Sequence, residues 1–278
     1  MDAAQVVADT ARFLADHDVE TPEAEAEILL AHLLRTDRAG LYTRRKDLTD
    51  EERDLLSRML LVRASGVPLQ HLTGDQPFFG LKLRVRPGVF IPRPETEVLV
   101  EQALQCLRTE SSPVVVDVGT GTGAVALAIK KERRDARVLA TDASEDAVAL
   151  AAENARELRL GIELLRGDLL LPLPGELRGE VDLIVSNPPY VTEEEYAQLP
   201  DVVRADPMEA LVGGTELHAR LAREALAWLR PGGWLAMEIG AGQGDEVAGL
   251  LSERYERVEV VPDLAGLARV ARGRLPEE

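Results

Sequence analysis

The chain has 278 residues, 45% hydrophobic and 29% charged, which is ordinary for a folded protein and allows one large domain or two smaller ones. Its 49 acidic and 32 basic residues give a formal net charge of −17, which disfavours a nucleic-acid partner. Cys106 is the single cysteine, which excludes an internal disulfide, and no apolar run reaches the roughly 18 residues of a membrane span.

Residues 1–73 are predicted to form a small all-helical domain. Thr21 precedes Pro22 as a helix cap would, and Thr49 with Glu52 matches a capping box. No residue here has the character of a catalytic group, so we interpret the domain as one that positions a partner, or else as a packing appendage. Apolar residues at helical spacing support these helices: Val6, Val7, Phe13, Leu14, Ile28, Leu29, Leu33, Leu55, Leu56, Met59 and Leu60.

Residues 74–92 have the pattern of a β-hairpin linker. Apolar and basic residues alternate from Leu81 to Arg86, which is typical of a strand with one solvated face, and Pro87-Gly88 is a turn signal. We interpret the basic residues of this strand, and those at positions 44–46 (Arg-Arg-Lys), as solvated surface charge, with a local cluster of cations for nucleic acid as the alternative.

From residue 93 onward, predicted strands and helices alternate. This alternation is typical of a doubly wound, mostly parallel, Rossmann-like α/β sheet. The strands are predicted at 114–118, 138–141, 162–165, 181–185 and 234–239, and the helices at 96–107, 124–133, 147–158 and 216–229.

A glycine-rich loop follows the first of these strands. Glycines 119, 121 and 123 allow a tight turn close to a ligand, but dinucleotide-binding enzymes use a related pattern. Asp117 lies just before the glycines, where a carboxylate attracts the cationic amino group of a methionine-like ligand and repels a pyrophosphate. The loop therefore favours S-adenosylmethionine over NAD as cofactor.

Acidic residues also end the next two strands. Asp142 lies where such folds place the carboxylate that binds the ribose hydroxyls, although an acid near a helix start is the alternative. Asp168 and Leu169 are expected to border the adenine, with an ordinary surface role equally open.

The segment Asn187-Pro188-Pro189-Tyr190 follows the predicted strand 181–185, at the end of the strand where α/β sheets place their sites. A planar amide or aryl-amine nitrogen is a poor nucleophile because its lone pair is delocalised. The Asn187 side-chain oxygen and the Pro188 carbonyl can accept its N–H groups, Pro189 stiffens the loop, and the Tyr190 ring can stack on the planar group. The motif predicts methyl transfer to such a nitrogen through positioning and electrostatics.

With this motif in hand, the sequence resembles the bacterial release factor glutamine methyltransferases over nearly its whole length. Further segments that carry the resemblance are 70–74 (QHLTG), 89–97 (VFIPRPETE), 117–121 (DVGTG), 238–240 (EIG) with Gln243, and 263–266 (DLAG) with Arg269. It implies a helical N-terminal domain (1–73), a hairpin linker (74–92) and a Rossmann-like methyltransferase domain (93–278). It also implies methylation of the glutamine N5 in the Gly-Gly-Gln motif of peptide-chain release factors.

The resemblance assigns roles to the residues already singled out. Substrate binding falls on Asn187, Pro188, Pro189 and Tyr190, with Asn187, Pro188 and Tyr190 as the catalytic set. Cofactor binding falls on Asp117, Val118, Gly119, Thr120, Gly121, Asp142, Leu169 and Asn187.

The sequence departs from the family pattern in three places. It has Asp206-Pro207 where the family usually has Glu-Pro, residues 212–216 lack the expected aspartates, and Leu169 replaces a residue that is often aromatic, which predicts weaker adenine stacking. Arg93, Glu95 and Glu97 either shape the cofactor pocket or simply begin the next helix.

Two rival functions remain open at this point. An N6-adenine nucleic-acid methyltransferase also methylates a planar amine, but the net charge of −17 speaks against it. A cofactor-binding module without activity is the other rival, and the intact Asn187 and Tyr190 argue against it. Widely spaced histidines indicate no metal site. We expect a cytoplasmic monomer that acts on release factors, with no nucleic-acid substrate and no membrane association.

Overall fold

The computed structural model describes residues 3–43 and 47–277, so the basic cluster at 44–46 lies outside the described residues. The chain divides into two compact units. The described part of Met1–Asp75 forms one with Pro200–Ala205, and Gln76–Leu199 forms the other with the residues from Asp206 onward.

The first unit is helical. The capping box is confirmed, since the Glu52 amide donates to Thr49 Oγ1 (3.2 Å) and the Thr49 amide donates to Glu52 Oε2 (2.8 Å). Thr21 precedes its helix but makes no side-chain capping bond. The helices are α1 (Ala3–Ala15), α2 (Pro22–Leu33), α3 (Arg38–Thr43), α4 (Asp50–Ala64) and α5 (Leu69–Thr73).

Most of the apolar residues that indicated these helices are buried or partly buried, but two of them are exposed. Ile28 is 46% exposed and Leu55 is 44% exposed. Each lies one position, about 100° of helix rotation, before a residue that belongs to the buried stripe. The sequence is apolar on both sides of that stripe, but the fold buries only one of the two sides.

The hairpin consists of β1 (Asp75–Phe78) and β2 (Leu81–Arg84). Leu81 and Leu83 are buried and their neighbours are exposed, as the alternation predicts. The basic side chains of this segment are not merely solvated: Arg84 pairs with Glu157, and Arg86 Nη1 donates to Glu153 Oε1 at 3.0 Å.

The rest of the chain alternates strands and helices, as predicted. Its elements are α6 (Glu97–Cys106), β3 (Val114–Val118), α7 (Ala124–Glu132), β4 (Arg137–Asp142), α8 (Glu145–Leu158), β5 (Glu163–Arg166), β6 (Val181–Ser186), α9 (Glu193–Tyr196), α10 (Asp201–Arg204, in the first unit), α11 (Glu216–Ala225), β7 (Leu229–Glu238), α12 (Gly244–Ser252), β8 (Glu256–Pro262) and β9 (Ala268–Arg274).

Within the described residues, the sheet has the order β5-β4-β3-β6-β7-β9-β8. Strands β3 to β7 are parallel, and β9 runs antiparallel to both of its neighbours, β7 and β8. The two terminal strands, β8 and β9, were not predicted from the sequence. Successive residues of β3 serve opposite faces, with Val115 in the core beside α6 and α7 and Val116 in the core beside α11 and α12. Helices on both faces confirm the doubly wound α/β class.

The strand order reverses at β3, and this reversal determines where a site can form. β3 pairs with β4 on one side and β6 on the other, so Val118 lies beside Ser186, and the Ser186 hydroxyl donates to the Val118 carbonyl at 2.8 Å. The glycine loop and Asn187 therefore leave the same edge of the sheet side by side, at a topological switch point. Across the described residues, no helix is long and apolar enough to cross a membrane.

Candidate active site

A cavity of about 520 Å³ opens at this edge of the sheet. Its volume is in the usual range of small-molecule sites. Asp168 lines it together with most of the residues that the sequence singled out: Asp117, Val118, Gly119, Thr120, Gly121, Asp142, Leu169, Asn187 and Pro189.

Asp117 is a buried carboxylate at the floor of this cavity, only 1% exposed. Its Oδ2 accepts hydrogen bonds from Thr120 Oγ1 (2.6 Å) and from the Ala126 amide (3.1 Å) in the first turn of α7. Burial raises the pKa of Asp117 to about 6, although those two hydrogen bonds oppose the rise. A cationic ligand group beside this carboxylate would favour its ionised form.

Asp142 links the end of β4 to the glycine loop. Its Oδ2 accepts from the Gly121 amide and its Oδ1 from the Ser144 amide, both at 2.9 Å. The residue that caps α8 is Ser144, whose hydroxyl accepts from the Ala147 amide (3.3 Å), so Asp142 is not needed for capping. Each Asp142 oxygen keeps a lone pair for a further donor, which fits two ribose hydroxyls.

Asp168 and Leu169 lie at the cavity wall beyond β5. Asp168 pairs in a bidentate manner with Arg220 of α11, so its carboxylate is held in place by a neighbouring helix. Leu169 has a positive φ of 45°.

Asn187 follows β6 and lines the cavity beside Thr96. Its Nδ2 donates to the Thr96 hydroxyl oxygen at 3.2 Å. With the amide nitrogen engaged in this way, the side-chain oxygen is left as an acceptor for another group.

Pro188 and Tyr190 are not among the cavity-lining residues of the described chain. Pro188 is buried. The Tyr190 hydroxyl donates to Glu238 Oε1 at 3.2 Å, and the Tyr190 carbonyl accepts from Gln243 Nε2 at 2.8 Å. The ring is therefore held at both its hydroxyl and its backbone, and the substrate roles of Pro188 and Tyr190 stay predictions.

Gly213 packs against the loop formed by Asn187–Tyr190. A Cβ atom at Gly213 would lie 2.4 Å from the Pro189 carbonyl oxygen, a distance that real side chains do not adopt. The close approach is fixed by a short bridge, in which the Val191 amide donates to the Leu211 carbonyl (2.8 Å) and the Gly213 amide donates to the Val191 carbonyl (3.0 Å).

Arg93 and Glu97 have separate structural roles. Arg93 pairs with the Asp206 carboxylate, which also accepts from the Ile91 amide at 3.1 Å. Glu97 Oε1 accepts from the Phe79 amide at 2.7 Å and so holds the hairpin turn, whereas Glu95 is exposed beside the helix start.

Sequence reasoning gave no role to Thr96, Glu238 or His218. Glu238 ends β7, the strand beside β6, and is 1% exposed. Its backbone carbonyl accepts from His218 Nε2 at 2.8 Å, and burial lowers the pKa of His218, so the neutral ring donates through that nitrogen. The sequence signal that could have pointed to Glu238 was an acidic residue at the carboxyl end of a predicted strand.

Comparison with known proteins places this geometry in a family. A model of the PrmC N-terminal domain matches residues 5–74, and a model of the methyltransferase small domain matches residues 80–267. The release factor glutamine methyltransferase of Moorella thermoacetica is 41% identical over 273 residues, which cover 95% of each chain. The chain belongs to the release factor glutamine methyltransferase family.

Other similarities agree with this membership. The release factor glutamine methyltransferase of Nitratidesulfovibrio vulgaris is 43% identical, over 91% of this chain and 88% of that one. The fold is also similar to that of the 16S rRNA N2 G1207 methyltransferase of T. thermophilus, with a TM-score of 0.53 and 22% identity, over 72% of this chain and 49% of that one. The chain is thus a methyltransferase with a class I α/β domain and an N-terminal helical domain.

Proposed function

We propose that this protein transfers a methyl group from S-adenosylmethionine to the glutamine side-chain N5 of the Gly-Gly-Gln motif in peptide-chain release factors. The observation that carries the proposal is the position of the Asn187 side chain at the cavity wall. Its Nδ2 donates a hydrogen bond to the Thr96 hydroxyl oxygen (3.2 Å), and its oxygen is left as an acceptor. An acceptor in that place suits the N–H group of a carboxamide. Family membership supports the same substrate class.

The cavity residues fit the cofactor. Asp117 offers a desolvated carboxylate to a cationic amino group, and Asp142 offers two oxygens to a pair of hydroxyls. The same cavity is lined by Val118, Gly119, Thr120 and Gly121. Leu169 supplies an apolar contact for the adenine base. When bound, S-adenosylmethionine supplies the electrophilic methyl group on a cationic sulfonium.

The protein's own residues then have to orient a weak nucleophile. Asn187 and the Pro188 carbonyl accept the two amide hydrogens, and Tyr190 with Pro189 confines the planar group, so that its nitrogen points at the methyl carbon. The proton becomes acidic as the nitrogen gains the methyl group and leaves to solvent, so no strong base is required. Most of the acceleration in this scheme comes from positioning.

The helical domain supplies no group to this scheme, and we assign it the positioning of the release factor. On this proposal the protein works as a monomer in the cytoplasm, where translation terminates, and takes no nucleic acid as its methyl acceptor. Apolar side chains such as Leu61, which is 63% exposed, are available on the surface of that domain.

Mass spectrometry of a release factor incubated with the enzyme and S-adenosylmethionine tests the proposal. We expect one added methyl group, on the glutamine of Gly-Gly-Gln, and none on a release factor with alanine at that glutamine. An adenine-containing oligonucleotide serves as the second acceptor. Methylation of the oligonucleotide with an unmodified release factor would replace this proposal with the nucleic-acid function.

A further inference from the structure

Gln243 lies between β7 and α12 and has no role in the scheme above. Among the described residues, its half-buried side chain makes no capping bond at the start of α12. Both ends of its carboxamide are instead engaged by backbone groups. The Gly240 amide donates to Gln243 Oε1 at 2.9 Å, and Gln243 Nε2 donates to the Tyr190 carbonyl at 2.8 Å. The side chain therefore joins the turn after β7 to the end of the Asn187–Tyr190 loop.

The orientation of the Gln243 carboxamide is set by its two partners. A backbone N–H only donates and a backbone carbonyl only accepts, so turning the carboxamide over would lose both hydrogen bonds. The turn itself is closed by the Gln243 amide, which donates to the Gly240 carbonyl at 2.9 Å. The Val247 amide then donates to the Gln243 carbonyl at 3.0 Å, where α12 begins. The Nε2 donor is thus held on a well-bonded turn and points at Tyr190.

Tyr190 also packs closely against this turn. A Cβ atom at Gly240 would lie 3.1 Å from Gln243 Oε1 and 3.4 Å from Tyr190 Cδ2, so a side chain at position 240 would crowd both groups. The Tyr190 hydroxyl donates to Glu238 Oε1 at 3.2 Å, at the end of β7. Tyr190 is therefore held at its backbone, at its ring and at its hydroxyl by residues 238–243.

The other end of the Asn187–Tyr190 loop is anchored as well. Ser186 lies beside Met237 in the sheet, and its hydroxyl donates to the Val118 carbonyl at 2.8 Å. Between the two anchors the loop contains two prolines, whose φ angles are fixed by their rings. A short, stiff segment held at both ends has little freedom, so the position of Asn187 depends on where the Tyr190 backbone is held.

We propose that Gln243 is a positioning residue, which holds the Tyr190 carbonyl and thereby fixes the Asn187–Tyr190 loop in place for methyl transfer. The identity of the substrate and the methyl donor rests on the proposed function, whereas the anchoring is a property of the protein alone. Gln243 is not among the cavity-lining residues of the described chain. Its loss is therefore expected to lower kcat and to leave cofactor affinity almost unchanged.

Gln243→Glu separates the two hydrogen bonds of the side chain. The introduced carboxylate can still accept from the Gly240 amide, which keeps the turn, but its second oxygen faces the Tyr190 carbonyl and the two acceptors repel each other. We expect kcat for release-factor methylation to fall about 100-fold, as for a displaced reacting group. The dissociation constant for S-adenosylmethionine should stay within about twofold. Gln105→Glu, at an exposed glutamine of α6, is the control and should change neither quantity.

The pH dependence of kcat gives a sharper test of the same bond. Protonation of the introduced carboxyl restores a donor toward the Tyr190 carbonyl, so the ratio of variant to wild-type kcat at saturating cofactor should rise as the pH falls from about 8 to about 5.5. Gln243→Met removes both hydrogen bonds without adding a titratable group, so it should lose about tenfold in kcat at a constant ratio. The titratable groups nearby are common to all three proteins and cancel in the ratio: Glu238, Arg269, Asp245 and Glu246.

A further readout does not depend on the substrate. The chain has four tyrosines, so full-length protein labelled with 3-fluorotyrosine should give four ¹⁹F signals, and that of Tyr190 is the one lost in Tyr190→Phe. We expect the Tyr190 signal to shift in Gln243→Glu at pH 8, while those of Tyr42, Tyr196 and Tyr255 stay in place. A general loosening of the fold would change all four signals.

The outcomes separate the two proposals. An unshifted Tyr190 signal, an unchanged kcat, or a cofactor affinity that weakens as much as kcat falls would overturn the positioning role of Gln243. A shift of the Tyr190 signal alone in Gln243→Glu, combined with a wild-type protein that leaves the release factor unmethylated, would uphold the anchoring and overturn the proposed function.

Discussion

Arg93 and Asp206, which are 113 positions apart in the chain, form an ion pair at the edge of the cavity. The Asp206 side chain is fully buried, with an exposed fraction of 0%, and it also accepts from the Ile91 amide at 3.1 Å. Burial raises the pKa of Asp206 to about 6 in spite of the Arg93 charge. The pair connects the segment before α6 to the segment in which Pro207, Glu209 and Ala210 line the cavity.

Replacing Asp206 by alanine should therefore affect both stability and cofactor binding. The change leaves both Arg93 and the Ile91 amide without their acceptor, and we expect a loss of roughly 1–3 kcal/mol in the free energy of unfolding. Because the cavity wall is released, S-adenosylmethionine should bind less tightly. Urea unfolding and isothermal titration calorimetry measure the two effects, and Asp201→Ala, at a surface pair with Arg204, is the control.

Gly213→Ala should abolish most methyl transfer without preventing cofactor binding. The new Cβ would lie 2.4 Å from the Pro189 carbonyl oxygen, so the Asn187–Tyr190 loop has to move. A displacement of that kind costs about 100-fold in rate. Gly249→Ala in α12 meets nothing within 4 Å and should leave the rate unchanged, which makes it the matched control. Equal rates in the two variants would show that the close approach is unimportant.

Cofactor binding should weaken as the pH falls through about 6, because that is the raised pKa of Asp117. Protonation removes the negative charge that attracts the amino group of the ligand, so affinity is highest above pH 7 and declines below pH 6. Asp117→Asn should bind about tenfold more weakly at pH 8 and show a flatter pH dependence. Calorimetric titrations between pH 5 and 8 check this, and a wild-type affinity that rises at low pH would contradict it.

The contribution of the buried Glu238 to stability, measured as the difference in free energy of unfolding between wild type and Glu238→Gln, should be more favourable at pH 5 than at pH 8. Burial raises its pKa to about 7 from an ordinary value of 4.5. The favourable contribution of the neutral acid is complete below pH 4.5 and is lost as the pH rises through 7.

Glu238→Gln has no such loss, so its stability relative to wild type should improve by roughly 2–3 kcal/mol between pH 5 and 8. Urea unfolding at the two pH values measures the difference. The matched variant is Glu163→Gln, whose carboxyl has a pKa lowered by Arg137 and is ionised at both pH values, so its difference from wild type should not change.

The sequence predicted the α/β class and most element positions, because period and turn chemistry are local properties. Strand β3 occurs at residues 114–118 as predicted, and the Thr49–Glu52 capping box is formed. The terminal strands β8 and β9 were missed, since β8 is half-exposed and lacks a clear apolar period. Ile28 and Leu55 belong to apolar runs and yet are exposed, because a sequence window does not show which side of an apolar stripe is covered.

The sequence by itself determined the chemistry that is available: a glycine loop behind Asp117, an acid at Asp142, and the amide and ring of Asn187 and Tyr190, each at the end of a predicted strand. These groups are local in the chain, so a motif can contain them. Only the tertiary structure decided that the Asn187 nitrogen meets Thr96, that Tyr190 meets Glu238 and that Arg93 meets Asp206. The physical reason is that a hydrogen bond depends on the distance and direction between two groups, and the packing of the sheet sets both for residues that are far apart in the chain.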